Sequence, residues 1–376
     1  MTLLAAASCS KDPGEVVDTK TASLKIVLGD LTTKADAGRV GDDYVTTIGA
    51  NNGYIFIFDA NGAVVAGSGT ALALVDNPVV GDSDTYQIVE TTDNAKQVVV
   101  VANAPAAIEN AATLSLAQLQ AQIFALSAVA PATGATSGVE NAMLYNDAAL
   151  NVVPAVTNGV TTELEATVNI VPAFARIEVI AATGNRGLTE TEVGDGYLPL
   201  EAFTLGAIYL NNVASAFSMN GPVTNETYPF VNELTPTTRE DTWSWDALTG
   251  ADVTNVDQSV VPTNGAWAYH FAGGSSPRIV FSVSDITIGT EGENNVTQIP
   301  GPLYLNVKFK TSAEAEAPEV TFERGNVYRI ANIIFNYPDL AETTSLTEVS
   351  LTAIVTVEPW VIDNTIVPNF GPDVTP

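Results

Sequence analysis

Short apolar runs separated by turn-forming residues dominate the chain. The runs are rich in β-branched and aromatic residues, and clusters of Gly, Asn, Asp and Pro bound them, a pattern typical of antiparallel β-sandwich domains. The predicted strands lie at residues 23–28, 54–58, 97–101, 166–180, 203–210, 278–284, 303–310, 327–335 and 351–362. The pattern therefore predicts an all-β fold with a minor helix, built as two antiparallel β-sandwich domains in tandem.

Alternation within single runs indicates which face of each strand is buried. In residues 303–309, Leu303, Leu305, Val307 and Phe309 fall on one face, and Asn306 and Lys308 fall on the other. Because side chains alternate across a strand, the first face is expected in the core and the second in solvent. Asn61-Gly62 directly after the run 54–58 predicts a tight hairpin turn, since these residues readily adopt positive φ.

One segment has helical rather than strand periodicity. Ser115 and Gln118 have the spacing of a capping box. An apolar stripe of Leu116, Leu119, Ile123 and Leu126 follows at helical spacing. The sequence therefore predicts a helix over residues 116–128 that packs on the core.

Composition limits the classes of partner. With 43 acidic against 14 basic residues, the 376-residue chain has a net charge of −29, a field that repels phosphate backbones and anionic lipids. No nucleic-acid partner is therefore expected. Hydrophobic residues make up 46% of the chain, enough for substantial cores, and the length favours two domains. We expect a boundary near the turn-rich residues 183–187, with an N-terminal domain at 40–182 and a C-terminal domain at 183–376.

The residue constellations of familiar catalytic and metal sites are missing from the sequence. His270 is the one histidine, so we expect a satisfied core or rim residue rather than a metal ligand or triad member. The acidic pairs Asp42-Asp43 and Asp82/Asp84 lack EF-hand spacing and are interpreted as solvated turns. No enzyme activity, cofactor or metal is predicted.

The single cysteine indicates attachment rather than catalysis. Cys9 follows small residues, Ala6-Ala7-Ser8, and precedes a polar spacer at 10–15, which is the arrangement at a lipoprotein cleavage site. No basic region precedes residue 3, and Ala6 stands where such signals usually have Leu. We therefore expect residues 1–9 to be the remainder of a signal whose true start lies upstream, and Cys9 to be lipidated.

Several segments, in order along nearly the whole chain, together resemble the FimA-type fimbrillins, the shaft pilins of the type V pili of Bacteroidales. Besides Cys9, they are ASLKIVL at 22–28, AGR at 37–39, QVVVVAN at 97–103, AFARIEV at 173–179, FERGNVYRI at 322–330 and VEPWV at 357–361. The combination is more specific than any single piece. It implies two sandwich domains of transthyretin-like or immunoglobulin-like type and a structural role.

The resemblance also implies a maturation step near the N-terminus. An Arg-specific surface protease would cut between Arg39 and Val40 and release the propeptide, residues 10–39; Lys34 is the alternative cut site and would serve a Lys-specific protease instead. In the removable strand, Leu24, Ile26 and Leu28 point to one face. Its loss would leave an apolar groove with unpaired backbone groups, an acceptor for a strand from another chain.

The strand that would fill this groove lies, by the same resemblance, near the C-terminus. Its anchors would be Val355, Val357, Trp360, Ile362 and Ile366. The expected partners are other copies of the chain, minor fimbrial subunits, the Arg-specific protease, and host or bacterial surface receptors. The implied protein is a lipidated precursor of the cell outer membrane that matures into an extracellular fimbrium serving adhesion and biofilm formation.

Two alternatives stay open on the sequence alone. A surface glycan-binding lipoprotein would share Cys9 and the sandwiches, and Trp243, Trp245 and Trp267 would form its sugar platform. A minor tip or anchor subunit would share the fold of the shaft subunit. Arg39 and the strand-like C-terminus favour the shaft interpretation, since a glycan binder has no use for a removable strand.

Overall fold

The computed structural model describes most of the chain in separate stretches. They are residues 21–28, 46–49, 53–73, 75–76, 85–104, 108–126, 142–152, 162–214, 216–223, 245–248, 252–253, 256, 258–262, 265–274, 276–289, 296–310, 320–343, 351–354, 356–359 and 362–367. None of the helices in these stretches has the length and apolar composition needed to cross a membrane.

Strands make up most of the regular structure in these residues. The first fifteen are β1 (Thr21–Leu28), β2 (Thr46–Gly49), β3 (Gly53–Phe58), β4 (Thr70–Ala71), β5 (Val75–Asp76), β6 (Thr85–Thr92), β7 (Gln97–Ala102), β8 (Phe124–Ala125), β9 (Leu144–Ala149), β10 (Asn151–Val152), β11 (Thr162–Val168), β12 (Val171–Pro172), β13 (Phe174–Val179), β14 (Ala182–Gly184) and β15 (Leu200–Asn211). The others are β16 (Ala216–Ser218), β17 (Gly221–Pro222), β18 (Trp245–Ala247), β19 (Asp252–Val253), β20 (Ser259–Val260), β21 (Trp267–Ala272), β22 (Arg278–Ile288), β23 (Thr297–Ile299), β24 (Leu303–Lys310), β25 (Asn326–Ile330), β26 (Ile333–Phe335), β27 (Leu340–Ala341), β28 (Leu351–Ile354), β29 (Thr356–Pro359) and β30 (Ile362–Val367). Short helices are α1 (Leu116–Gln120) and α2 (Glu190–Gly194), and Ala111–Thr113 and Tyr337–Asp339 form 3₁₀ turns.

Two five-stranded sheets form the N-terminal part. One has the order β10-β11-β1-β6-β5 and the other β12-β9-β7-β3-β4. Side chains from both sheets, such as Ile26 of β1 and Val100 of β7, belong to one buried apolar cluster. Two sheets that face each other across a common apolar layer are the arrangement of a β-sandwich, and the all-β prediction is confirmed.

The later strands form further sheets. The largest follows the order β18-β15-β22-β24-β27, with β19, β23 and β28 paired to its members. A four-stranded sheet has the order β21-β13-β25-β29, a three-stranded sheet the order β20-β14-β26, and β17-β16-β8 and β2-β30 form two small ones. The main apolar cluster runs through these sheets as well, from Leu200 to Phe335.

The predicted helix at 116–128 is wrong in length. The capping box forms as predicted, with Ser115 Oγ accepting from the Gln118 backbone, but the helix ends at Gln120. The chain then forms β8, in which Phe124 pairs with Phe217 of β16. Ile123 is consequently 60% exposed instead of lying on a buried stripe. Pairing with a distant strand outweighs the local helical periodicity here.

Two strand predictions also need correction. The run 166–180 is three strands, β11, β12 and β13, and the last of them pairs with β21 and β25 rather than with the N-terminal sheets. In β24, the face predicted in solvent is covered at Asn306, which is 3% exposed and donates to the Thr343 carbonyl at 3.0 Å, whereas Lys308 is partly exposed. The hairpin turn at Gly62 is confirmed, with φ at 75° and Asp59 Oδ1 accepting from the Asn61 backbone.

Candidate functional site

The first strand lies in the middle of its sheet. Strand β1 pairs antiparallel with β6 from Thr21 to Leu28, and it pairs parallel with β11 from Ala22 to Leu28. Both of its backbone edges are therefore hydrogen-bonded. Because neighbouring strands lie about 4.8 Å apart, β6 and β11 are separated by about 9.6 Å and cannot pair directly without β1. We call the space between β6 and β11 the β1 groove.

The inner face of β1 is part of the core. Leu24 and Ile26 are fully buried, and Leu28 is 2% exposed, so all three residues predicted to point inward do so. Ala22, at the start of the same face, is also buried. Since burial of each large aliphatic side chain contributes about 1.5–3 kcal/mol, an empty β1 groove would expose apolar pockets worth several kcal/mol.

The outer face of β1 carries charge. Lys25 Nζ lies 3.5 Å from Glu165 Oε1 of β11 and 5.6 Å from the ring centre of Tyr86 of β6. Two positions earlier, Ser23 stands opposite Glu163 of β11 and Glu90 of β6. The occupant of the β1 groove therefore presents a basic side chain to a rim that contains carboxylates on both sides.

The C-terminal strands pair within the same chain. Strand β28 is parallel to β24, β29 is antiparallel to β25 with Val357 opposite Tyr328, and β30 is parallel to β2 with Ile362 opposite Thr46. Ile366 lies in β30 as well. The segment predicted to serve as a donor to another chain thus continues three sheets of its own chain.

Several predicted site residues lie outside the described residues. They are Cys9, Lys34, Arg39, Val40, Val355, Trp360 and Trp243. Arg39 and Val40 fall in the sequence between the end of β1 at Leu28 and the start of β2 at Thr46. Their roles stay predictions.

A charged cluster that sequence reasoning did not anticipate lies inside the sheet of β13, β21 and β25. Arg176 and Glu178 share one face of β13, and strand register places His270 opposite Arg176 and Arg329 opposite Glu178. Arg176 Nε donates to Glu178 Oε1 at 2.7 Å, and Arg329 Nε donates to Oε2 at 3.1 Å. In the sequence, the cluster is indicated by two opposite charges, Arg176 and Glu178, two positions apart in an otherwise apolar run.

His270 is confirmed as a satisfied core residue. Its Nε2 lies 3.1 Å from Arg176 Nη1, and since a guanidinium only donates, this nitrogen accepts and carries no proton. The edge of the Phe174 ring packs on the imidazole at 5.0 Å between ring centres. Burial, and then the nearby Arg176 charge, hold the pKa of His270 well below its usual range.

A second unanticipated feature joins the N-terminal sheets to the later ones. Arg324, in the turn before β25, donates from Nη1 to the Tyr145 carbonyl at 2.8 Å and from Nη2 to Asn146 Oδ1 at 3.2 Å. Its guanidinium stacks over the Tyr145 ring at 4.0 Å. Gly325 follows with φ at 77°, in the left-handed region that favours glycine, and beside the turn lies a cleft of about 320 Å³.

Two further observations concern a metal site and the sugar platform considered from the sequence. No group of three or more His, Cys, Asp or Glu side chains among them is arranged to hold a metal ion. Trp267 is 5% exposed and packs edge-on against Phe281 at 5.7 Å between ring centres, so its face is not available as a sugar platform.

Comparison with known proteins adds information on the fold. No protein-family model and no curated protein matches the sequence. Solved structures do match. A candidate cell adhesion protein of Bacteroides eggerthii has a TM-score of 0.51 at 18% identity, covering 92% of this chain and 98% of its own. Another, of Parabacteroides distasonis, has a TM-score of 0.54 at 15% identity, covering 91% and 100%.

A fimbrilin of Porphyromonas gingivalis is also among the matching structures, with a TM-score of 0.49 at 14% identity and coverage of 93% of this chain and 100% of its own. The two candidate adhesion proteins show that this chain shares their fold over nearly its whole length. The comparison therefore supports an all-β fold that this chain shares with these two proteins.

Proposed function

We propose that this chain is a structural subunit of a surface fimbria and that it assembles by exchanging β1 for a strand of another copy. The observation that carries the proposal is the central position of β1, hydrogen-bonded on both edges and buried on its inner face. A strand near the N-terminus is covalently linked to the fold only through the segment before β2. One cut in that segment converts it into a separable ligand of the β1 groove.

Proteolysis after Arg39 is the proposed trigger. The cut would make Val40 the new N-terminus and leave β1 held by non-covalent contacts alone. Lipidation of Cys9 would hold the precursor at the outer membrane until the cut separates body from anchor. The fold shared with candidate cell adhesion proteins and the ordered resemblance to fimbrillins support this route to an extracellular, adhesive fibre.

The proposed donor is the C-terminal segment that contains Val355, Val357, Trp360, Ile362 and Ile366. Within one chain, its strands β29 and β30 pair with β25 and β2. To reach another copy it must leave at least one of these pairings. We favour a shaft subunit over a tip or anchor subunit, because a shaft subunit needs both a groove and a donor.

Cleavage of the purified full chain tests the proposal. An Arg-specific protease should convert wild-type protein into a ladder of polymers on unheated gels. Arg39→Gln should stay monomeric, and the matched variant Lys34→Gln should assemble like wild type. A chain that ends at Val357 should be cut but should not polymerise, since it lacks the last donor anchors.

Each variant has an outcome that contradicts one part of the proposal. Assembly of Arg39→Gln would show that the cut lies elsewhere. Wild-type ladders from the shortened chain would show that the C-terminal segment is not the donor. Cut wild-type protein that keeps β1 and stays monomeric would contradict strand exchange itself.

A further inference from the structure

The rim of the β1 groove has an unbalanced charge once β1 is set aside. The outward positions of β11 next to β1 are Glu163 and Glu165, and Glu90 is on β6 across the groove. Neither β6 nor β11 contains a Lys or Arg. Among the residues that the structure describes, Lys25 of β1 is the basic side chain paired with this rim.

The environment of Lys25 indicates what the groove accepts at this position. Its ammonium pairs with Glu165 and faces the Tyr86 ring, while Ile88, 57% exposed, stands opposite it in the strand register. An apolar neighbour suits the methylene stem of a lysine, and a carboxylate and an aromatic ring suit its charge. The side chains of β1 thus indicate which side chains the groove accepts from a replacement strand.

We propose that the β1 groove selects its occupant by charge: it prefers a strand with apolar residues at the Leu24, Ile26 and Leu28 positions and a basic residue at the Lys25 position. This inference rests on the proposed function, since it concerns the strand that replaces β1. The resident β1 has this pattern, so the inference concerns how strongly the groove retains β1 against the strand that replaces it.

This preference has a consequence for assembly between copies. The C-terminal strands β28, β29 and β30 contain no Lys or Arg, and they include Glu358 and Asp363. A C-terminal donor would therefore meet the acidic rim without a cation of its own. Before the cut, the resident β1 is favoured over such a donor, so exchange waits for proteolysis. After the cut, added salt promotes exchange by screening the carboxylates.

The expected size of the effect follows from exposure. The side chains of Lys25 and Glu165 are 40% and 43% exposed, so solvent and salt screen their interaction. The variant Lys25→Glu loses the attraction to Glu165 and gains a repulsion from it. Its β1 should therefore dissociate about tenfold faster than wild type in low salt. In about 1 M salt, where the screening length is about 3 Å, the difference should shrink to less than about twofold.

Release of β1 after a cut measures this preference directly. The full chain receives an added protease site within residues 29–45, and a fluorophore is attached to its single cysteine, Cys9. After folding and cutting, excess unlabelled peptide of residues 21–28 traps the empty groove, and fluorescence anisotropy follows release of the labelled fragment. The rates should rise in the order wild type, Lys25→Gln, Lys25→Glu, in low salt alone.

A charge cycle separates the rim from a general effect of net charge. When Glu165 is replaced by Gln, the difference in β1 release rate between chains with Lys25 and chains with Lys25→Gln should become smaller. In the background of Glu190→Gln, which makes the same charge change in the exposed helix α2, the difference should be unchanged. Free peptides of residues 21–28 should compete for the groove best with Lys at position 25, less well with Gln and least well with Glu. This comparison uses one folded protein, so it does not depend on the folding of the variants.

Two results would overturn the inference, and they are distinguishable. Equal rates and equal competition for all three residues at position 25 would refute charge selection and leave strand exchange intact. A cut fragment that the trap peptide never replaces would refute strand exchange, and the inference with it.

Discussion

At the residue scale, His270 makes the stability of the fold depend on pH. Its folded pKa lies well below the value of about 6.5 expected in the unfolded chain, because burial and Arg176 both disfavour the imidazolium. The unfolded state therefore binds the extra proton first as pH falls. Stability from this residue is fully present above about pH 6.5 and is lost as pH drops towards the folded pKa.

We expect His270→Gln to remove this dependence while keeping an acceptor for Arg176. Between about pH 7 and pH 5.5, wild type should lose about 1 kcal/mol more unfolding free energy than the variant. Urea unfolding at both pH values measures the difference. Arg176, Glu178 and Arg329 are unchanged in the variant, so any pH dependence that they contribute is common to both proteins. Parallel losses in the two proteins would contradict the assignment of a neutral, buried imidazole.

Arg324 is expected to stabilise the contact between the N-terminal sheets and the later ones. Arg324→Ala removes two charge-assisted hydrogen bonds and the stacking on Tyr145, so the unfolding free energy should fall by about 2–3 kcal/mol. Tyr145→Phe is the matched control, because it keeps the ring and the carbonyl and should change stability by less than about 0.5 kcal/mol. Chemical denaturation that finds equal effects for both variants would show that the contact is not held by Arg324.

At the element scale, the inner face of β1 should carry most of the affinity for its groove. Ile26→Ala empties a fully buried position and should lower the unfolding free energy of the intact chain by about 2–5 kcal/mol. Ser23→Ala, on the outer face, should cost less than about 0.5 kcal/mol. In cut protein, β1 carrying Ile26→Ala should also dissociate faster. If the two variants unfold at the same denaturant concentration, β1 is not held by its apolar face.

The local pattern was enough to predict β1, β3, β7 and the inner face of β24. Strands β1 and β24 alternate at period two, whereas β3 and β7 are short continuous apolar runs buried on both faces. The local pattern failed at residues 116–128, where Phe124 pairs with a strand about ninety positions away. It also failed at 166–180, where composition stays strand-like while the pairing partners change. Partner choice depends on long-range packing that no local pattern contains.

The candidate site divides in the same way. The inward positions Leu24, Ile26 and Leu28 followed from alternation within one strand. The central place of β1 did not, because it requires pairing with both β6 and β11. Arg324 was noticed only as part of a sequence motif, since its partners Tyr145 and Asn146 lie 178 or more positions away.

At the scale of the whole molecule, we propose that the chain is a precursor whose first strand is a temporary part of the fold. Both ends of the chain supply strands to its sheets. The N-terminal strand fills the β1 groove, and the C-terminal strands β28, β29 and β30 continue sheets of the same chain. Under the proposed function, assembly needs one irreversible step, the cut between β1 and β2, after which the C-terminal segment of another copy can replace β1.

The N-terminus of subunits in assembled fibres tests the central claim most directly. Fibres sheared from the cell surface would be purified and their subunits analysed by intact mass and N-terminal peptide mapping. We expect chains that begin at Val40, with no peptide from residues 21–28 in the fibre. Fibres whose subunits retain residues 21–28 would contradict this claim, because the β1 groove would still be filled by its own strand.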